Sequence, residues 1–114
     1  MHYYIISGEP SGDLYGGKLI ESLKKYNSDS KFTCWGGSHM DAAGGHIEVN
    51  LELLSFMGFW EVLKKSRSII KKLSYAKYHI NKTQPDAVIL IDYPGFNLKI
   101  AKYVKKIGLP VYWF

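Results

Sequence analysis

Apolar and polar positions alternate between two periods along the chain. HYYIIS (2–7) is a short apolar, β-branched and aromatic run that stops at Gly8, which predicts a buried strand. The stretch after it, residues 12–26, changes period. Leu14, Leu19, Ile20, Leu23 and Tyr26 recur at helical spacing, Ser11 stands where a cap is wanted, and Asp13 lies in the first turn. KFTCWGG (31–37) predicts a second strand ended by glycines. SHMDAAGG (38–45) predicts a short helix with a glycine stop, and HIEVN (46–50) a short edge strand. The longest helical pattern runs from about Phe59 to Thr83. One stripe is Ile69, Leu73, Ala76 and Ile80, a neighbouring one is Phe59, Leu63 and Ile70, and Pro85 stands just beyond. AVILID (87–92) is a continuous apolar strand. NLKIAKYVKKIG (97–108) predicts a helix with Leu98, Ala101, Val104 and Ile107 inward, and PVYWF (110–114) begins a fifth strand.

Strands that alternate with helices imply an α/β domain built on a mostly parallel, doubly wound, Rossmann-like sheet of order 3-2-1-4-5. Ligands of such sheets bind beyond the carboxyl ends of the strands, where the strand order reverses. Two loops fall at that point, GEPSGD after strand 1 and DYPGFN after strand 4. The chain ends inside its last strand, so the expectation is a truncated domain, a piece of something longer.

Composition is that of a globular protein, 46% apolar and 22% charged. Its single cysteine, Cys34, excludes an internal disulfide. No signal peptide or bilayer-length apolar run is present, which points to the cytoplasm. The net charge of +5 is concentrated. Lys64, Lys65, Arg67, Lys71, Lys72, Lys77 and Lys82 lie between Phe59 and Lys82 against the single acid Glu61. Just upstream, Phe56, Met57, Phe59, Trp60 and Leu63 cluster. Apolar anchors followed by basic residues suit a helix on an anionic membrane surface; ordinary core is the competing reading.

The loop after strand 1 nearly spells a phosphate-binding motif through Gly12, Gly17 and Lys18. The register is wrong, because Gly16, Gly17 and Lys18 fall inside the predicted helix and Leu19 stands where a hydroxyl should bind magnesium. G-x-G-x-x-G is absent. Glu9 and Asp13 would repel a phosphate, so two readings are open for this loop. In one, Gly8 and Gly12 permit a tight turn and close packing; in the other, Glu9, Ser11 and Asp13 present oxygens to a hydroxyl-rich ligand such as a sugar. Asp92 ends a buried strand at the ligand-binding edge. A carboxylate partly withdrawn from water can act as a general base toward a hydroxyl, or it can serve only as a turn acceptor. Asn97 can cap the following helix or bind a ligand. His2, His39, His46 and His79 lack metal-ligand spacing, so no metal is expected.

SGEPSGDLYGGKLIESLK, WGGSHMDAAGG, LSFMGFWEVL and PDAVILIDYPGFNLKIAK together resemble, in order and spacing, the N-terminal region of the lipid-A-disaccharide synthases. The resemblance implies the N-terminal half of a GT-B glycosyltransferase, residues 1–114 being a partial acceptor- and membrane-facing domain whose UDP-binding partner domain is absent. It implies inverting transfer of diacylglucosamine from its UDP donor to diacylglucosamine 1-phosphate, giving the lipid A disaccharide 1-phosphate and UDP. No cofactor or metal is implied, the UDP-sugar being a substrate. The implied location is the cytoplasmic, inner face of the Gram-negative inner membrane, as a peripheral protein. By resemblance Asp92 is the catalytic base, Glu9, Ser11, Gly12, Asp13 and Asn97 shape the acceptor side, and Phe56, Met57, Phe59, Trp60 and Leu63 meet acyl chains. Many members carry Asp where this chain has Gly95. Lacking the donor half, the fragment is expected to be inactive by itself. The alternatives are another nucleotide-sugar enzyme of GT-B architecture and a non-catalytic flavodoxin-like module. Nucleic-acid binding rests on net charge alone and is not expected.

Overall fold

The computed structural model describes residues 1–8, 11–51 and 67–114. Among the described residues five strands and four helices follow one another: β1 (His2–Ser7), α1 (Ser11–Tyr26), β2 (Lys31–Gly36), α2 (Ser38–Ala42), β3 (His46–Asn50), α3 (Arg67–Thr83), β4 (Ala87–Ile91), α4 (Pro94–Lys106) and β5 (Val111–Trp113). The sheet is parallel throughout with the order β3-β2-β1-β4-β5, as the alternation of periods predicts. The order reverses at the β1/β4 pair, where Ser7 stands beside Ile91.

Every residue of β4 is buried, which explains why its sequence is continuously apolar rather than alternating. The alternation is still present and sorts side chains to two faces. Tyr4, Ile6, Val88 and Leu90 join Ala76, Ile80, Phe96, Ile100 and Val104 in a core beneath α3 and α4. Ile5, Ile89 and Ile91 join Ile20, Phe32, Cys34 and Met40 beneath α1 and α2. Apolar clusters of this kind on both faces supply the main stabilisation of a doubly wound domain.

Three helical stripes differ in detail from the periodicity. The buried face of α1 is Gly12, Asp13, Gly16, Gly17 and Ile20. Leu14 and Tyr26 are exposed. The reason is close approach: a Cβ on Gly17 would lie 2.9 Å from the His39 carbonyl oxygen, so α1 rests on α2 backbone to side-chain-free backbone. In α4 the buried residues are Phe96, Asn97, Ile100 and Val104, and Leu98 is exposed. In α3, Ala76 and Ile80 are buried but Ile70 is exposed. The expected start of that helix at Phe59 lies outside the described residues. Its end is as expected: Thr83 is the last helical residue, Gln84 takes a left-handed φ of 46°, and Pro85 follows. The chain leaves the short helix α2 through Gly44, whose φ of 106° lets the Gly45 N–H return to the Met40 carbonyl at 2.9 Å.

Candidate functional site

Both loops at the β1/β4 reversal are rich in glycine, proline and polar residues, and the one after β4 adds Tyr93 and Phe96. The one after β4 is strained. Asp92 and Tyr93 both have φ of 51°, left-handed values that L side chains rarely adopt, and Tyr93 does so immediately before Pro94. Such consecutive strain is maintained only when the surroundings hold it, and it concentrates at functional sites. Three hydrogen bonds and a ring contact hold it here. The Asp92 N–H donates to the Phe114 carbonyl at 3.0 Å and the Asn97 N–H to the Tyr93 carbonyl at 2.9 Å. The Asn97 side-chain amide donates to the Asp92 carbonyl at 2.8 Å. The Tyr93 ring stacks on Phe96, centroids 5.5 Å apart, and occupies the space over Gly8 that a side chain there would fill.

Asp92 is exposed. This corrects the expectation of a carboxylate partly withdrawn from water: the residue stands one position past Ile91, the last buried residue of β4, and the left-handed turn carries it clear of the sheet. It borders a cleft of about 440 Å³ whose other walls are Tyr15, Leu19, Ile91 and Phe114. Among the described residues the cleft therefore combines the Asp92 carboxylate with apolar and aromatic surface, in the size range of small-molecule sites.

Asp13 is not part of that cleft. It is 1% exposed, and its two oxygens accept the backbone N–H groups of Gly37 at 2.7 Å, His39 at 2.8 Å and Met40 at 3.1 Å. It caps α2, taking up the donors that the start of any helix leaves unpaired. The reading in which Asp13 offers oxygens to a sugar is corrected accordingly. Gly12 is also buried, and a Cβ there would lie 2.1 Å from Ser7 Oγ and 3.2 Å from Ile91 Cγ2. It is a packing glycine that seats α1 against the ends of β1 and β4. Asn97 is fully buried, which corrects its expected place as a ligand contact. Ser11 is exposed at the first position of α1. Glu9 and the expected acyl-chain residues Phe56, Met57, Phe59, Trp60 and Leu63 lie outside the described residues. Gly16, Gly17 and Lys18 are helical, in agreement with the rejection of a phosphate-binding loop.

The histidines have other work. His79 and His46 approach Glu48 at 3.7 and 3.6 Å, and the ring of His2 meets Thr33 Oγ1 at 2.7 Å. Among the described residues no three His, Cys, Asp or Glu side chains are grouped to hold a metal. Among them, too, no helix is long and apolar enough to cross a membrane.

The family model described as lipid-A-disaccharide synthetase matches residues 3–113. The chain belongs to the lipid-A-disaccharide synthetase family. Similar curated proteins include a lipid-A-disaccharide synthase of Coxiella burnetii strain Dugway, 42% identical over 110 residues, and lipid-A-disaccharide synthase 1 of Legionella pneumophila strain Lens, 36% identical over 111. Each match covers 96% of this chain and 29% of the relative, so the chain spans less than a third of the length of these relatives. Among solved structures, the C-terminal domain of a hydrogenase from Pyrococcus furiosus superposes with a TM-score of 0.62 at 13% identity. That superposition covers 99% of this chain and 90% of that domain, and at such low identity it bears on the fold alone.

Within the synthetase family setting, two features of the site escaped the sequence. Nothing in the pattern signals that Tyr93 is left-handed, since the residue type and the following proline both argue against it. Nor does helical periodicity reveal that Tyr15, rather than a core position, borders the cleft. Gly95 is exposed, and a Cβ there would meet no atom within 4 Å.

Proposed function

We propose that this segment is the acceptor- and membrane-facing part of a lipid-A-disaccharide synthase and that Asp92 is its general base. In the proposed step the Asp92 carboxylate takes the proton of an acceptor hydroxyl. The freed oxygen attacks the anomeric carbon of the UDP-linked diacylglucosamine, a C–O bond forms with inversion, and the bond to the diphosphate breaks, releasing UDP. The acceptor is diacylglucosamine 1-phosphate. Donor binding belongs to a separate UDP-binding domain, so the 114 residues alone carry out no transfer.

The observation that carries this reading is the placement of Asp92. It is an exposed carboxylate on a strained turn, beyond the carboxyl end of a central strand at the sheet's reversal point, bordering a cleft with apolar walls. An apolar wall beside one carboxylate suits a sugar that carries acyl chains. Ser11 and Glu9 are proposed to complete the acceptor side from the neighbouring loop.

The helical layer over one face of the sheet supports a membrane-facing role. α3 contributes Lys71, Lys72, Lys77 and Lys82, α4 contributes Lys99, Lys102, Lys105 and Lys106, and neither helix contains Asp or Glu. Ile70, Tyr78 and Leu98 are exposed on the same two helices. Juxtaposed basic and apolar groups are drawn to anionic lipid surfaces. The proposed location is the inner face of the inner membrane, with Phe56, Met57, Phe59, Trp60 and Leu63 as acyl-chain contacts.

The test is UDP release from UDP-diacylglucosamine with diacylglucosamine 1-phosphate, in an intact synthase carrying this segment, for wild type and Asp92→Asn. A general base typically contributes 10²–10⁴-fold, so the variant should lose at least roughly 100-fold in kcat. Wild-type turnover in Asp92→Asn would remove Asp92 from the chemistry.

A further inference from the structure

Asn97 is fully buried in the first turns of α4, directly beneath the β4 turn. Its side-chain amide nitrogen lies 2.8 Å from the Asp92 carbonyl oxygen, 3.3 Å from that of Ile91 and 3.5 Å from that of Ile6. Those carbonyls belong to the turn, to the end of β4 and to the end of β1, so one amide ties together the two strands that flank the reversal point. The Asn97 Oδ1 atom is buried with no hydrogen-bond partner among the described residues. A buried polar atom without a partner is unfavourable. An apolar side chain at this position would escape that penalty, so what the amide contributes is its two N–H donors.

The Asp92–Tyr93 pair explains why donors are needed. Both residues are left-handed, and Tyr93 precedes a proline, which further disfavours its conformation. Left alone, the pair would relax toward extended backbone and re-aim the Asp92 side chain. Three hydrogen bonds resist this: the Asp92 N–H to the Phe114 carbonyl, the Asn97 backbone N–H to the Tyr93 carbonyl, and the Asn97 side-chain N–H to the Asp92 carbonyl. Of these, the last alone depends on the Asn97 side chain.

We infer that Asn97 is a positioning residue for the Asp92 carboxylate, acting through the Asp92 carbonyl and not through contact with the acceptor. The inference rests on the reading of Asp92 as general base. Reacting groups displaced by about 1 Å can lose on the order of 100-fold in rate, which sets the scale of effect expected when the turn relaxes.

The experiment is a double-mutant cycle in an intact synthase carrying this segment, with Asp92→Asn, Asn97→Leu, Asn97→Ala and the doubles Asp92→Asn/Asn97→Leu and Asp92→Asn/Asn97→Ala. Asn97→Leu fills nearly the same space without an orphaned polar atom, and Asn97→Ala is the smaller alternative. UDP release gives kcat and acceptor KM, and thermal unfolding gives the folded fraction of each variant. The expected result is a fall in kcat on the order of 100-fold for each Asn97 variant at unchanged acceptor KM. Once Asp92 is Asn, the Asn97 change should cause no further loss. Additive losses in the double variant, a raised KM at wild-type kcat, or a loss matching the unfolded fraction would each overturn the positioning role. If Asp92→Asn is impaired while Asn97 variants are not, this inference fails and the base assignment stands. If Asp92→Asn turns over normally, the base assignment itself has failed.

Discussion

Asp13 of α1 accepts the backbone N–H of Gly37 at 2.7 Å, so one helix supplies the cap of the next. The N–H groups of His39 and Met40 turn to the same carboxylate, and the five-residue helix α2 has its start satisfied by a residue 24 positions or more away in sequence. A helix this short has no stability of its own and depends on such contacts.

Asp13→Ala should therefore destabilise the domain by about 3 kcal/mol, since it strands several buried N–H donors at once. Asp13→Asn keeps the shape but turns an N–H2 group toward those donors and should recover only part of the loss. Urea unfolding midpoints check this, and an Asp13→Ala midpoint equal to wild type would show that α2 does not need the cap.

Gly12 and Gly95 make opposite predictions. A Cβ on Gly12 meets Ser7 Oγ at 2.1 Å, whereas one on Gly95 meets nothing within 4 Å. Gly12→Ala should lower stability by about 2 kcal/mol through overpacking. Gly95→Asp places a better helix residue and a negative charge in the first turn of α4, and should raise stability by up to about 1 kcal/mol. Thermal unfolding of the two variants in parallel checks both signs; a neutral Gly12→Ala would mean that α1 can retreat from β1.

The strand order was legible because strands that alternate with helices imply it, and the sorting of side chains to two core faces follows from the period of a strand. Tyr4 against Ile5 and Leu90 against Ile91 alternate as any strand must. The details of α1 were not, because its buried face is glycine and aspartate, and a hydrophobic stripe cannot report contacts made by backbone. Asp92 was legible as a candidate from its position at a strand end, but its exposure was not. Exposure depends on a left-handed turn whose residues, Asp and Tyr before Pro, give no sign of it. Asn97 illustrates the same limit: its type fits a cap, a ligand or a clamp equally well, and only the three carbonyls around it separate these.

Cys34 is fully buried in β2, with Gly45 close against its sulfur. Burial, and secondarily the Asp13 charge, push its thiol up to about 12. Thiolate is the reactive form, so the folded protein should be inert to thiol reagents near neutral pH. Reaction with a chromogenic disulfide should follow unfolding, with full stoichiometry only in denaturant. Rapid labelling of the native protein would contradict the burial.

Glu48 sets the acid limb of stability. Trp35 Nε1 donates to the Tyr4 hydroxyl at 3.1 Å, that hydroxyl lies 2.7 Å from His79 Nδ1 in a hydrogen bond, and His79 Nε2 stands 3.7 Å from a Glu48 oxygen. The Tyr75 hydroxyl donates to the same carboxylate. The Tyr75 hydrogen bond chiefly, opposed by burial and aided by His79 and His46, holds the Glu48 carboxyl below its ordinary 4.5. A carboxyl depressed in the folded state adds stability that is fully present above the unfolded value and is lost as pH falls through the folded one. The wild-type lead over Glu48→Gln should therefore be constant near neutral pH and shrink below about pH 4.5. His2, lowered from 6.5 mainly by burial, adds a second decline that begins at higher pH and persists in the variant. Urea unfolding at a series of pH values separates the two, and a lead that stays constant down to the acid transition would show that Glu48 binds its proton as readily folded as unfolded.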